Sequence, residues 1–239
     1  LCFRSKELSL RIDKGRFLPT WGVVKRALHI SLPMGLQQTI MCSAYVMTTI
    51  IIAPLGTFAI AANSFGVIVE SLCYMPGYGI ADAATTLVGQ SIGAGRHELM
   101  KRFAWLSVGL GVTVMAVMGV VMYVGAPVAM AMMTPAEEVR RLGVEVLRIE
   151  AFAEPMFAAA IVSYGVFVGA AKTLVPSIMN LVSIWGVRIS LAALLAPSMG
   201  LRGVWIAMCI ELCFRGFIFL VKLKFWNIQT SCNHYGKDQ

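Results

Sequence analysis

The stretch Phe103-Ala-Trp-Leu-Ser-Val-Gly-Leu-Gly-Val-Thr-Val-Met-Ala-Val-Met-Gly-Val-Val-Met-Tyr-Val124 carries no charged side chain. A helix needs roughly 20 mostly apolar residues to cross the hydrocarbon core of a bilayer, and this stretch has them. Working outward, five more stretches satisfy the same test: residues 29–53, 57–81, 151–171, 174–196 and 201–223. Together the six fill most of the 239 residues, of which 58% are hydrophobic and only 13% charged, and the mean hydropathy is +0.77. A water-soluble domain of this size could not cover so much apolar surface, whereas lipid accepts it as long as every backbone polar group is satisfied inside a helix. The fold class read from the sequence is therefore all-α integral membrane, with six transmembrane helices.

Glycine, proline and charge mark the breaks between spans: Pro54-Leu55-Gly56, Gly93-Ala94-Gly95-Arg96, Thr134-Pro135, Lys172-Thr173 and Pro197-Ser198-Met199-Gly200. Span two is expected to continue as helix toward Ile92. Residues 127–133 read as a short interfacial helix, and residues 136–150 as a polar lead into span four with Glu150 at the outer boundary. The chain starts at Leu1 and not at Met, which leads us to expect a piece of a longer protein.

Charge sets the expected orientation. Arg4, Lys6, Arg11, Lys14, Arg16, Lys25 and Arg26 precede span one. Arg96, Lys101 and Arg102 follow span two, Lys172 follows span four, and Lys222, Lys224 and Lys237 follow span six. The opposite side holds only Arg140, Arg141 and Arg202. This asymmetry places both ends in the cytoplasm, as an even number of spans requires. It also accounts for the net charge of +8 without nucleic-acid binding, since the basic residues are dispersed with no recognition motif around them. The expected location is a plasma or bacterial inner membrane.

Six cysteines (Cys2, Cys42, Cys73, Cys209, Cys213 and Cys232) and three scattered histidines (His29, His97 and His234) supply no metal-ligand set. Cys209 and Cys213 share a helix face, but nothing completes a zinc site; they read as small apolar filler. No phosphate-binding loop, zinc-hydrolase motif or nucleophile elbow is present. We expect no enzyme, no cofactor and no bound metal; energy, if used, would come from an ion gradient.

Span two and its exit read Tyr74-Met-Pro-Gly-Tyr-Gly-Ile-Ala81 and Leu87-Val-Gly-Gln-Ser-Ile-Gly-Ala-Gly-Arg96. Leu32-Pro-Met-Gly-Leu-Gln-Gln38, Phe167-Val-Gly-Ala-Ala-Lys-Thr173 with Pro176, Trp185-Gly-Val-Arg188 and Gly203-Val-Trp205 follow in order around them. This set resembles the MATE family, the multidrug and toxic compound extrusion transporters, over nearly the whole chain. The resemblance implies one lobe of a twelve-helix, inverted-V antiporter about twice this length. Residues 1–26 would be the cytoplasmic linker from a missing N-terminal lobe, 27–225 the six-helix C-terminal lobe, and 226–239 a cytoplasmic tail. The expected partners are membrane lipid, small organic substrates and the missing lobe. The cavity of this family lies between the lobes, so one lobe would supply half of it.

Acids within a bilayer cost at least ~2.5 kcal/mol on insertion scales and tend to be kept for a purpose. Glu70, about 20 Å along span two from Thr57 at 1.5 Å per residue, falls near mid-membrane with Tyr74 one turn on. Glu154 lies just inside span four, followed by Pro155, which offers no N–H to the carbonyl of Ala151. A carboxylate beside a freed carbonyl is a cation-site arrangement. The resemblance implies Na⁺ or H⁺ coupling by acids on the helices that carry Glu70 and Glu154; on the remaining coupling helix this chain offers Gln37 and Gln38. Glu70, Glu154 and Gln37 are the expected ion-coupling residues, the alternative for the acids being hydrogen bonding between helices. Tyr45, Asn63, Tyr74, Tyr78, Tyr164 and Asn180 suit a cavity lining for bulky cations, the alternative being packing. Glu211 and Arg215, spaced i, i+4, with Arg188 at similar depth, read as a neutralised structural network tying spans five and six, and alternatively as a proton relay. The function expected is cation-coupled export of organic, cationic drugs or metabolites. The rivals are a lipid-linked oligosaccharide flippase of the same superfamily and a non-transporting membrane scaffold.

Overall fold

The computed structural model describes residues 21–226. Eight α-helices follow one another among them: α1 (Trp21–Ile52), α2 (Thr57–Gly93), α3 (His97–Met133), α4 (Glu137–Glu150), α5 (Glu154–Gly169), α6 (Leu174–Val182), α7 (Ser190–Met199) and α8 (Leu201–Lys224). A π-helical turn (Ser183–Ile189) joins α6 to α7 without a break. Five segments are long and apolar enough to cross a membrane: Gly35–Leu55, Thr57–Gly93, His97–Met133, Leu174–Met199 and Leu201–Lys224. A sixth forms if α4 and α5, bent by 59° at their junction, count as one broken span. Most of the expected linker and tail lies outside the described residues, and α1 already begins at Trp21.

Three boundaries differ from the sequence reading. Residues 127–133 are not a separate interfacial helix. Helix α3 runs through Pro127 to Met133, because Ala126 and Met130 are buried against α4 and continue the α3 stripe. The polar lead into span four is an amphipathic helix, α4, whose Val139, Gly143, Val146 and Leu147 face inward. Glu150 is not at a wet boundary: it is 1% exposed at the α4–α5 bend.

Helices α2, α3, α5 and α8 pack around one another at the centre, while α1 lies against α6, the π turn and α7. Small residues set the spacing. A Cβ on Gly165 would stand 2.6 Å from the Ala81 carbonyl oxygen of α2, and one on Gly169 would strike the Thr85 carbonyl. Thr85 Oγ1 donates to the carbonyls of Ala81 and Gly165, both at 2.9 Å, so the close approach also carries a hydrogen bond across the pair.

Two helix ends use the same wrap of late amides onto early carbonyls. At the end of α2, Arg96 N donates to Ser91 O (2.9 Å) with Gly95 at φ 69°. At the end of α5, Lys172 N donates to Phe167 O (2.9 Å) with Ala171 at φ 55°. An alanine in the left-handed region is strained by about 1 kcal/mol, which glycine relieves. Ala171→Gly is therefore expected to raise stability by up to about 1 kcal/mol, read as a higher unfolding temperature of the solubilised protein.

Candidate functional site

On α2, Glu70, Tyr74 and Tyr78 recur at helical spacing and present one face to the space between α1 and α8. There they line a cavity of about 70 Å³ together with Tyr45 of α1, Arg188 of the π turn and Arg215 of α8. A second cavity of about 200 Å³ shares Tyr45, Val67, Arg188 and Met208 with the first and adds Asn63 and Trp205. The two adjoin along the α1 side of the molecule.

The charges in this region are unevenly matched. Glu211 is fully buried; its Oε1 accepts from Ser183 Oγ at 2.6 Å and lies 3.1 Å from Arg215 Nε. Arg215 also covers the ring of Phe157 at 5.5 Å. Arg188 does not join this pair. Its guanidinium lies over the Tyr45 ring at 5.8 Å with Nη2 2.7 Å from Met208 Sδ, and its Nε is buried with no hydrogen-bond acceptor among the described residues. The three-membered network of the sequence reading is thus a Ser183–Glu211–Arg215 set, with Arg188 turned the other way. The reason is that Ser183 and Arg215 already occupy the Glu211 carboxylate.

Glu70 is 9% exposed at the cavity and within coulombic reach of Arg188 and Arg215, with no hydrogen bond to its side chain among the described residues. Glu154 is 1% exposed, and both its carboxyl oxygens are buried with no hydrogen-bond partner among the described residues. Glu70 and Glu154 are within coulombic reach of each other. The α4–α5 bend falls at Ala151–Ala153, where Pro155 removes the amide that would have reached Ala151 O. Gly119 of α3 leaves room beside that carbonyl: a Cβ there would sit 2.7 Å from Ala151 O and 3.4 Å from Glu154 Cβ. Glu150 is the residue that sequence reasoning missed. One of its carboxyl oxygens is buried without a hydrogen-bond partner among the described residues, and it is within coulombic reach of Glu70, Glu154, Arg188 and Glu211. The i, i+4 spacing of Glu150 and Glu154 across a proline bend was the available signal.

The remaining sequence-selected residues divide. Tyr45, Tyr74 and Tyr78 converge on the first cavity, and the rings of Tyr74 and Tyr78 meet edge-on at 5.5 Å. Asn63 lines the second cavity, where its Oδ1 accepts from Trp205 Nε1 at 3.1 Å. Gln37 is engaged elsewhere: its Oε1 accepts from Tyr164 Oη at 3.1 Å and from Ser177 Oγ, which ties α1 to α5 and α6. Tyr164 belongs to that contact and lines neither cavity, and Asn180 is buried within α6. Among the described residues no group of His, Cys, Asp or Glu is placed to hold a metal ion through three protein ligands.

The MatE family model matches residues 33–194, from within α1 to within α7. The chain belongs to the MatE family. This MatE chain is 29% identical over 197 residues to the probable multidrug resistance protein NorM of Xylella fastidiosa, covering 82% of the chain and 42% of that protein. It is 27% identical over 224 residues to the probable NorM of Thermotoga maritima, covering 92% of the chain and 47% of that protein. The fold is shared with the MATE transporter ClbM, solved in complex with Rb⁺: the TM-score is 0.81 at 22% identity over 91% of the chain and 51% of ClbM. The MatE chain therefore spans about half the length of the relatives it matches. With its apolar spans it is a multi-pass membrane protein.

Proposed function

We propose that this chain is the C-terminal lobe of a cation-coupled antiporter that exports organic solutes bearing positive charge, with Glu70 and Glu154 as the coupling carboxyls. The observation that carries the reading is Glu154: a carboxyl 1% exposed, inside the membrane lobe, with neither oxygen hydrogen-bonded. Such a group is costly as a bare anion. A proton or a Na⁺ ion removes the cost, and the nearby Ala151 carbonyl supplies a further oxygen to a metal cation. ClbM, of the same fold, is solved with Rb⁺, which supports the cation reading without choosing between Na⁺ and H⁺.

Glu70 lines the tyrosine-lined cavity and is within coulombic reach of Glu154, so one carboxyl can answer to both ion and solute. Coupling then requires that the ion bind one conformation of the two lobes better than the other. The missing lobe would complete the cavity. Orientation with both ends in the cytoplasm, and residues 27–225 as the lobe, are part of this proposal.

The test is dye efflux by the intact protein in proteoliposomes under an imposed Na⁺ or H⁺ gradient. Gradient-driven efflux should fall at least about tenfold in Glu154→Gln and in Glu70→Gln, with both variants monodisperse on size-exclusion. Efflux that persists in both variants would move coupling out of this lobe. Absence of efflux under either gradient would overturn the antiporter reading.

A further inference from the structure

A guanidinium inside a bilayer needs an anion, and Arg215 has one in Glu211. Arg188 has none: among the described residues no carboxylate lies at ion-pair distance from it, and its Nε is buried without an acceptor. It borders both cavities. Beside it in the larger one stands Asn63, whose Oδ1 is committed to Trp205 Nε1, so that its amide N–H groups remain to donate. The hydroxyl protons of Thr48, Thr49 and Ser64 are used on backbone carbonyls one turn back. What this cavity offers a ligand is therefore the guanidinium N–H groups of Arg188 not held by Met208, and an amide donor, the chemistry that binds a carboxylate.

The adjoining cavity offers the reverse. Glu70 supplies negative charge, and Tyr45, Tyr74 and Tyr78 supply ring faces. A ligand that is only a cation would pair with Glu70 and so compete with Arg188 for the field of that carboxyl, making no use of the guanidinium.

We propose that the paired cavities take a zwitterionic organic solute, with its carboxylate on Arg188 and Asn63 and its cationic end against Glu70 and the tyrosines. This deepens the transporter reading and rests on it for the solute being cargo. Arg188 is then a specificity residue: its fork selects acids over their esters.

The probe pair is rhodamine B, a zwitterion at neutral pH through its free carboxylate, and its ethyl ester, a cation of nearly the same shape. Binding to the intact protein in detergent is read by fluorescence anisotropy, with no gradient. Wild type should bind the acid about tenfold more tightly than the ester, the scale of one charge-assisted hydrogen-bonded pair. Arg188→Gln should remove that preference, the acid losing affinity relative to the ester, and Arg188→Lys should keep part of it. Equal or tighter binding of the ester by wild type would overturn the inference, whatever the variants do. So would an equal loss of both dyes in a monodisperse Arg188→Gln. If the acid preference holds while gradient-driven efflux is absent, the transporter reading fails and the carboxylate site stands.

Discussion

Alanine at Gly169 or at Gly216 is expected to unfold the lobe or to leave it only in aggregates. A Cβ on Gly169 would strike the Thr85 carbonyl, and one on Gly216 the Met156 carbonyl. In both cases the obstruction is backbone inside a helix, so no side chain can swing away; a whole helix must shift. Inserting a methyl into a well-packed contact costs about 1–3 kcal/mol even where side chains can give, and these contacts cannot. Each joins central helices: Gly169 sets α5 on α2, and Gly216 sets α8 on α5. Size-exclusion of fluorescently tagged variants, before and after mild heating, checks the result. Gly109→Ala is the control: nothing lies within 4 Å of a Cβ there, and the variant should elute as wild type or slightly more stably. Wild-type elution of Gly169→Ala would mean that α2 and α5 are farther apart than described.

Arg215→Met is the second large effect. It strands Glu211, which is fully buried and, among the described residues, keeps only Ser183 Oγ as a partner. Breaking one side of a buried ion pair costs about 3–5 kcal/mol, chiefly from the charge left behind. Adding Glu211→Met should restore most of that loss, because two apolar side chains of similar volume replace the pair. The recovery should stay incomplete for a specific reason: Arg215 also lies within coulombic reach of Glu70, which the double variant does not relieve. Unfolding temperatures of the single and double variants decide it. A double variant as unstable as Arg215→Met alone would assign the loss to Glu70 and not to Glu211.

The spans were legible because lipid imposes length and apolarity on each helix separately, and the stretch through Val124 needs no neighbour to be recognised. Glu70 and Glu154 were legible for the same reason, as acids where acids are costly. Partnership was not. Sequence depth placed Arg188 and Glu211 together, but depth says nothing about azimuth, and Ser183 had no mark to show that it would take the Glu211 oxygen first. Glu150 was misplaced because α4 is polar overall; only its packing against α2, α3 and α8 shows that one stripe of it, ending in an acid, is buried. Gln37 was grouped with the acids by the family resemblance, while the structure joins it to Tyr164 and Ser177, residues more than a hundred positions along the chain.

The wide turn at Ser183–Ile189 has its own consequence. A π turn closes its rings between residues five apart, where an α-helix uses four, so it holds one residue more than the helix around it. Ser183 and Arg188 are five apart, the first bonded to Glu211 and the second lining both cavities. Deleting a single residue between them, such as Gly186, would let the segment wind as ordinary α-helix. Every side chain on one side of the cut would then rotate by about 100° against the other, one residue's worth of a 3.6-residue turn. Where the Arg188 side chain points thus depends on the length of this segment as well as on the identity of residue 188.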